Sequence, residues 1–229
     1  MGPGFESLPG QMQLNLQTKP QEYFHQKRPE MLEFIPITAE KILDIGCGAG
    51  IFGQDLKNKQ QAEVWGIEFD TQAGQEARGN LDKVLIGDVN ELINQLPDQY
   101  FDCIICNDIL EHLVDPYGLL RKLKNKLAGT GVIACSLPNV RYLPNLINLC
   151  WKKQWHYEDQ GILDKTHLRF FTQKSINEMF KDLDYKIIKL QGINPINSWK
   201  FKLLNFIFCN TIADTKFLQF ACLVKPIKI

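Results

Sequence analysis

A carboxylate and several glycines lie together where the first long apolar run of the sequence ends. Asp44 stands just before a loop in which every second residue is glycine, and a helical pattern follows. The glycines are Gly46, Gly48 and Gly50. Glycine lets the backbone turn sharply and approach a ligand, and a helix N-terminus offers unpaired N–H groups. The spacing G-x-G-x-G differs from the G-x-G-x-x-G of dinucleotide sites, and a carboxylate would repel a pyrophosphate but attract an ammonium or sulfonium group.

Further polar residues end the next three apolar runs. Glu68 follows Gly46 at about the 20-residue distance expected of a carboxylate that binds ribose hydroxyls. Asp88 ends the third run, where a carboxylate suits the amino group of an adenine. The fourth run leads into Asn107–His112, which adds an amide, two acids and a histidine. Because open α/β sheets bind ligands at the carboxyl ends of their strands, these residues are expected to share one cleft.

The elements that position these residues alternate along the chain. The predicted strands are Lys41–Gly46, Ala62–Glu68, Lys83–Gly87, Phe101–Asn107, Gly131–Leu137, Tyr185–Gln191 and Lys216–Lys225. The predicted helices between them are Ile51–Asn58, Thr71–Leu81, Val89–Leu96 and Tyr117–Leu127, with a later one that Thr172 caps and that runs to Leu183. This alternation favours right-handed crossovers and a sheet covered on both faces. We predict an α/β fold with a seven-stranded, mostly parallel sheet whose last strand is antiparallel.

The chain is expected to form one domain over residues 21–229, after a flexible tail over residues 1–20. Irregular inserts at residues 138–171 and 194–214 are expected to form a lid over the strand ends.

Each insert contains an apolar helical patch, Leu146–Trp155 in the first and Trp199–Cys209 in the second. These patches are expected to pack on the sheet or to form a homodimer contact. Contact with a membrane surface through neighbouring lysines is the alternative.

Composition excludes several classes of protein. The chain has 229 residues, 45% of them hydrophobic, without an apolar run of the ~20 residues that cross a membrane. Lys and Arg number 26, as do Asp and Glu, so the overall charge gives no sign of nucleic-acid binding. No secretory signal is visible, and seven cysteines, an odd count, favour reduced thiols and a cytoplasmic protein. Cys103 and Cys106 stand three apart on a strand and should face opposite sides.

The run Leu43–Gly50, with Glu68, Asp88 and Asn107–His112, resembles the ordered motifs of class I S-adenosylmethionine-dependent methyltransferases. The resemblance covers roughly residues 20–190. It implies a Rossmann-like three-layer sandwich, S-adenosylmethionine as cofactor, and methyl transfer to a small-molecule acceptor.

Two narrower resemblances concern the branch of this family. Glu111–Leu113 followed by Asp115-Pro116 is similar to the branch that includes ubiquinone-biosynthesis O-methyltransferases. Ser136–Arg141 and Gly161–Thr172 resemble a bacterial group linked to cell-surface polysaccharide synthesis.

The resemblance implies a set of cofactor-binding residues: Tyr23, Arg28, Asp44, Gly46, Gly48, Gly50, Glu68, Phe69, Asp88, Val89 and Asn107. The glycines would pass under the methionine part of the cofactor, and Asp44 would meet its ammonium group directly or through water. Glu68 would bind the ribose and Phe69 would flank the adenine, whose edge Asp88 and the Val89 backbone would hold. Tyr23 and Arg28, on a helix expected to run to Phe34, would close over the methionine end, with the guanidinium near the carboxylate.

Two histidines compete for the role of general base toward a hydroxyl acceptor, His167 in the insert and His112 after the fourth strand. No metal is expected. The alternative is a divalent cation held by Asp108, Glu111 and His112, in a pattern that resembles a site of some ubiquinone-type methyltransferases.

The acceptor is expected to contact Asn139, Arg141, Tyr142 and Arg169. Residues 139–229 carry 14 Lys and Arg against 7 Asp and Glu, which favours an anionic or sugar-linked acceptor. The first candidate is a hydroxyl of a sugar or glycan precursor, followed by a quinone-type or other aromatic hydroxyl and then a sugar amine. A protein that binds S-adenosylmethionine without catalysis is the alternative from another class, and the glycine spacing disfavours an NAD-dependent oxidoreductase.

Overall fold

The computed structural model describes residues 19–227 of the chain. Its strands are β1 (Lys41–Ile45), β2 (Glu63–Glu68), β3 (Lys83–Ile86), β4 (Phe101–Asn107), β5 (Leu127–Pro138), β6 (Tyr185–Pro195) and β7 (Phe217–Pro226). The α-helices of the described residues are α1 (Gln21–Phe24), α2 (Ile51–Gln60), α3 (Thr71–Ala77), α4 (Val89–Leu92), α5 (Pro116–Lys126), α6 (Leu143–Cys150), α7 (Gln173–Asp182) and α8 (Trp199–Ile207). Most of the expected tail lies outside the described residues, and the single-domain boundaries stay a prediction.

All seven strands form one sheet in the order β3-β2-β1-β4-β5-β7-β6. Pairing is parallel from β3 through β5, whereas β7 runs antiparallel to its neighbours β5 and β6. The predicted fold class is therefore confirmed. The chain leaves β1 toward one edge of the sheet and leaves β4 toward the other. A crevice opens beyond the carboxyl ends of strands at such a reversal of strand order.

Apolar side chains pack on both faces of the sheet. Leu43 and Ile45 belong to one buried cluster and their neighbour Ile42 to the other. Cys106 and Cys103 divide between the two clusters in the same way, as the spacing on the strand predicts. Burial on both faces explains why the strands are apolar at nearly every position.

Several predicted helices have other bounds in the structure, for example α3 and α4, which each end four residues before the expected end. The expected helix through Phe34 is broken, because α1 ends at Phe24 and a 3-10 helix begins at Pro29. Arg28 lies between them with a left-handed φ of 47°. A residue that precedes proline is disfavoured in the α conformation, so Pro29 can start a helical turn but Arg28 cannot continue one. Similarly, α6 begins at Leu143 with a proline in its first turn, three residues before the expected start, and ends at Cys150.

The two inserts both arise at the carboxyl edge of the sheet. Residues 139–172 leave the end of β5, and residues 196–216 join the end of β6 to the start of β7. Arg141 Nε donates to the Asp214 carboxylate at 2.7 Å, and the buried Asn139 side chain donates to the Asp214 and Phe217 carbonyls. The start of the first insert is therefore fixed to the end of the second. Among residues 19–227, no helix is both long enough and apolar enough to span a membrane.

Candidate active site

A cavity of about 640 Å³ opens at the carboxyl edge of the sheet. Its walls come from the ends of β1 to β4, the start of β7, the chain before β1 and the insert around residues 158–167. Of the residues singled out from the sequence, those that line it are Tyr23, Arg28, Gly46, Gly48, Glu68, Phe69, Asp88, Val89, Asn107, Asp108, Glu111, His112 and His167. Those outside its lining are Asp44, Gly50, Asn139, Arg141, Tyr142 and Arg169.

The glycine loop needs glycine for its backbone shape and for one close approach. Gly46, Gly48 and Gly50 all have positive φ values of 75°, 54° and 78°. A Cβ on Gly48 would lie 2.5 Å from the carbonyl oxygen of Phe24, which accepts a hydrogen bond from the Ala49 N–H at 2.9 Å. The loop is therefore clamped between the sheet and the chain before β1.

Glu68 connects the end of β2 to this loop. One carboxylate oxygen accepts the Gly48 N–H at 2.7 Å and the other accepts the Asp70 N–H at 2.8 Å. Each oxygen keeps a second lone pair for a ribose hydroxyl. Burial raises the pKa of Glu68, although these N–H groups act in the opposite direction.

The adenine side of the cavity follows the ends of β2 and β3. Phe69 and the buried Val89 line it together with Asp88. The Asp88 carboxylate accepts the Asn90 N–H at 2.8 Å, and this contact caps α4 and fixes the acid at the cavity wall.

Asp44 lies behind the loop, with 3% of its surface exposed. Burial, with a smaller contribution from the charge of Glu68, raises its pKa to about 7. A cation held above the glycine loop would favour the ionised form of this carboxyl. The position thus suits an indirect electrostatic role better than a direct contact.

The chain before β1, here called the N-terminal strap (residues 19–28), closes one side of the cavity. Lys19 pairs with Asp164 of the insert, and the strap contacts the glycine loop through Phe24. Tyr23 projects into the cavity, where burial raises its pKa, with further contributions from Asp164, Glu111 and Glu68. The strap is held to several strand ends at once and shields the cavity from water.

Arg28 is the last residue of the strap, and its side chain lies in a polar network. Its guanidinium pairs with Asp108 and Glu30 and donates to Ser136 Oγ at 3.1 Å and to Gln219 at 3.2 Å. Neither Ser136 nor Gln219 is among the site residues expected from the sequence. Both are isolated polar residues within strands that are otherwise apolar, and this is the signal that could have identified them.

Glu111 is the most unusual group of the cavity. Its side chain is fully buried, and neither carboxylate oxygen has a hydrogen-bond partner among the described residues. Burial raises its pKa to about 8, so the carboxyl is mostly protonated at pH 7. The nearest basic nitrogen is His167 Nε2, at 3.9 Å from Glu111 Oε1.

His167 and His112 lie beside Glu111, with their rings edge to face at 4.7 Å between centroids. His167 Nδ1 donates to the Ile162 carbonyl at 2.9 Å, which leaves the lone pair on Nε2. Burial lowers the pKa of His167, and burial with the charge of His167 lowers that of His112 to about 4. Both rings are neutral at pH 7, and His167 Nε2 is able to accept a proton.

The alternative metal set of the sequence analysis is not gathered in one place. Asp108 pairs with Arg28 and accepts hydrogen bonds from Ser136 and Gln219. A different group comes together, namely Glu111, His112 and His167, whose potential ligand atoms lie within 4.8 Å of one another. Ligands of one ion at bonds of about 2.1 Å would lie closer. That the protein uses no metal stays a prediction.

The residues expected to contact the acceptor make contacts elsewhere. Asn139 and Arg141 tie the two inserts together, and Tyr142 directly precedes α6. Arg169 donates to the Val114 carbonyl at 2.6 Å. Polar side chains that line the acceptor side instead are Gln160, Asn194 and Gln219.

The cavity is acidic. Its lining includes Glu30, Glu68, Asp88, Asp108, Glu111, Glu158 and Asp164, against Arg28 as the one Arg or Lys of the lining among residues 19–227. This balance suits a cationic cofactor and does not favour an anionic acceptor group inside the cavity.

Comparison with known proteins defines the class. A family model described as a methyltransferase domain matches residues 12–190, and the chain belongs to this family. The prediction of a class I S-adenosylmethionine-dependent methyltransferase, with S-adenosylmethionine as its cofactor, is therefore confirmed. The cavity fits that cofactor, because Glu68 has lone pairs free beside the loop and acids outnumber Arg and Lys in the lining.

Individual relatives and solved structures are similar to the chain over different shares of its length. A ubiquinone biosynthesis O-methyltransferase of Pasteurella multocida is 34% identical over 134 residues, which are 50% of this chain and 55% of the relative. One of Actinobacillus pleuropneumoniae is 26% identical over 84% of this chain and 88% of its own. The chain spans about half the length of the first curated relatives it matches. The crystal structure of a SAM-dependent methyltransferase from Archaeoglobus fulgidus aligns with a TM-score of 0.65 and 20% identity, covering 90% of this chain and 94% of that one.

Proposed function

We propose that this protein transfers the methyl group of S-adenosylmethionine to a hydroxyl group of a neutral acceptor, with a sugar or glycan precursor as first candidate. The observation that carries the proposal is His167, a residue of the cavity lining whose unprotonated Nε2 lies 3.9 Å from the buried Glu111. A hydroxyl is a weak nucleophile until it loses its proton, so a hydroxyl acceptor benefits from such a base.

The chain would act mainly by positioning the reactants and excluding water. When bound, S-adenosylmethionine supplies a methyl group on a positively charged sulfur. His167 Nε2 would take the hydroxyl proton as the acceptor oxygen receives that methyl group, and S-adenosylhomocysteine would leave. The Ile162 carbonyl, which holds Nδ1–H, stabilises the resulting imidazolium. The strap keeps bulk water away.

The acidic lining supports a neutral reacting group rather than an anionic one. Any phosphate of a sugar precursor would lie outside the cavity, where the lysines of the inserts are exposed. Asn139, Arg141, Tyr142 and Arg169 would then support the insert instead of contacting the methylated group.

A second candidate acceptor is a quinone-type or other aromatic hydroxyl. It is favoured by the relatives that are named ubiquinone biosynthesis O-methyltransferases. The match to the first of these relatives covers half of the chain. It therefore supports the identity of the acceptor less strongly than the identity of the cofactor. A cytoplasmic location is supported by seven cysteines that are all free thiols.

The test is a set of methyl-transfer assays with three groups of acceptors: nucleotide sugars, neutral oligosaccharides and catechols. Release of S-adenosylhomocysteine is measured, and products are identified by mass. Methylation of a sugar supports the first candidate, and methylation of catechols alone supports the second. Binding of S-adenosylmethionine in calorimetry without transfer to any group would favour the non-catalytic alternative over both.

A further inference from the structure

Two surface segments expose large apolar side chains to solvent. We call them the apolar rim, defined as residues 143–155 and 199–208. Its exposed side chains are Ile147, Leu149, Trp151 and Trp155 in the first segment and Trp199, Leu203, Phe206, Ile207 and Phe208 in the second. Trp151 is 85% exposed and Phe206 is 75% exposed. Phe201 is the one buried residue of α8, so most of the apolar surface of this helix is left for another partner.

Both segments of the apolar rim are flanked in the sequence by residues that line the cavity. Its first segment lies between Pro138 and Glu158, and its second lies between Asn194 and Leu218. All four of these flanking residues line the cavity. The ion pair of Arg141 with Asp214 holds the two segments at the same edge of the sheet.

The charge of the rim has one sign. Lys152, Lys153, Lys200 and Lys202 are exposed, and residues 142–157 and 196–213 contain no Asp or Glu. Tryptophan, phenylalanine and leucine combined with lysine are the composition of segments that lie in a membrane interface. Tryptophan is enriched at the level of the lipid headgroups, and lysine is attracted to anionic lipids.

We propose that the apolar rim docks on the surface of a membrane that contains anionic lipids. A second copy of the chain is a poorer partner, because an isologous contact would bring four lysines against four lysines with no acids between them. An anionic bilayer supplies both the apolar layer for the aromatic side chains and the negative charge for the lysines.

Docking would turn the cavity mouth toward the headgroups. An acceptor attached to a lipid through phosphate could then place its neutral part in the acidic cavity and its phosphates among the rim lysines. This last step rests on the proposed function, whereas the docking itself does not.

The test measures co-sedimentation of the full chain with phosphatidylcholine vesicles, with and without one-third phosphatidylglycerol. The full chain should bind the anionic vesicles more tightly, and added salt should weaken that binding. The variant Lys200→Gln with Lys202→Gln should lose about fivefold in affinity for each lysine. The variant Trp199→Ser with Phe206→Ser should lose about tenfold for each aromatic side chain.

The matched control is Ile37→Ser with Lys59→Gln, two exposed residues at the opposite, amino-terminal side of the sheet, and it should bind as the parent does. Calorimetry with S-adenosylmethionine verifies that each variant is folded, so that failure of docking and failure of the proposed function are read separately. Equal loss in the control, or no binding to anionic vesicles, would overturn the proposal. So would a dimer in light scattering that the aromatic variant converts to a monomer.

Discussion

The cofactor half and the acceptor half of the cavity are built in different ways. In the cofactor half, the acids that would hold the nucleoside lie at strand ends, since Glu68 is the last residue of β2 and Asp88 comes two residues after β3. In the acceptor half, the contacts join residues that are far apart in sequence, such as His112 with Thr166 and the Glu111 carbonyl with the Leu168 N–H. One half is therefore specified by the sheet itself and the other by how two inserts and the strap pack on it.

The difference has a consequence for chemistry. The glycine loop and the strand ends offer S-adenosylmethionine a set of groups whose positions the sheet register fixes. The side chains on the acceptor side have positions that depend on the Lys19–Asp164 pair and on the contacts of the insert. We expect changes in the first half to alter cofactor affinity and changes in the second to alter turnover.

The largest expected effect tests the acceptor half. His167→Ala removes the nitrogen that we propose as the proton acceptor, so the turnover number should fall at least about 100-fold, the lower range for loss of a general base. Cofactor affinity should stay within about threefold, because His167 lies on the acceptor side. Steady-state kinetics and calorimetry measure the two quantities.

His156→Ala is the control, since His156 lies in the same insert, is exposed and is outside the cavity lining. Full turnover in His167→Ala would exclude this residue as the base.

The next effect tests the cofactor half. Glu68→Ala removes both acceptors for the ribose hydroxyls and the partner of the Gly48 N–H. Affinity for S-adenosylmethionine should fall on the order of 100-fold, because hydrogen bonds to a charged group contribute about 1.5–3 kcal/mol each. Glu40→Ala, an exposed acid that directly precedes β1 at the other end of the sheet, should leave the dissociation constant unchanged. Unchanged affinity in a folded Glu68→Ala protein would contradict the cofactor assignment.

The same division explains what the sequence could predict. The seven strands, the antiparallel last strand and the cavity positions of Gly46, Glu68 and Asp88 follow from local apolar runs and the residues that end them. Arg141 and Asn139 looked like acceptor ligands because they are polar and lie in an insert. Their actual partners, Asp214 and Phe217, are more than 70 residues away, and no local pattern indicates such a contact.

Gln219 stands out as a polar residue in an apolar strand, but the sequence alone does not show that it reaches the cavity. It reaches the cavity because β7 runs antiparallel beside β5, which brings its first residues to the carboxyl edge. The break of the expected helix at Arg28 could have been predicted, since Pro29 was visible in the sequence.

A smaller effect compares a glycine from each half. Gly48→Ala combines a left-handed backbone with a Cβ at 2.5 Å from the Phe24 carbonyl, which belongs to the strap backbone. Gly161→Ala in the insert has φ of 92° but open space around its Cβ position. The first should lower the free energy of unfolding by about 2 kcal/mol and the second by about 1 kcal/mol, the usual range for a strained φ. Urea unfolding measures both losses. Equal losses would mean that the strap moves away from the added Cβ without loss of stability.

The smallest effect concerns Glu111. Its folded-state pKa of about 8 exceeds the ordinary value of 4.5, so the folded protein holds a proton that the unfolded chain has lost between these two values. The free energy of unfolding must therefore fall as pH rises through this window. Asp44, raised to about 7, contributes mainly below pH 7, and the lowered histidines have lost their protons there. Between pH 7 and 8 the parent should lose about 1 kcal/mol in urea unfolding, and Glu111→Gln should lose little. Glu40→Gln, at an exposed site, should behave as the parent does. An identical fall in Glu111→Gln would show that its carboxyl is already ionised at pH 7, with a partner that the buried oxygens lack in this structure.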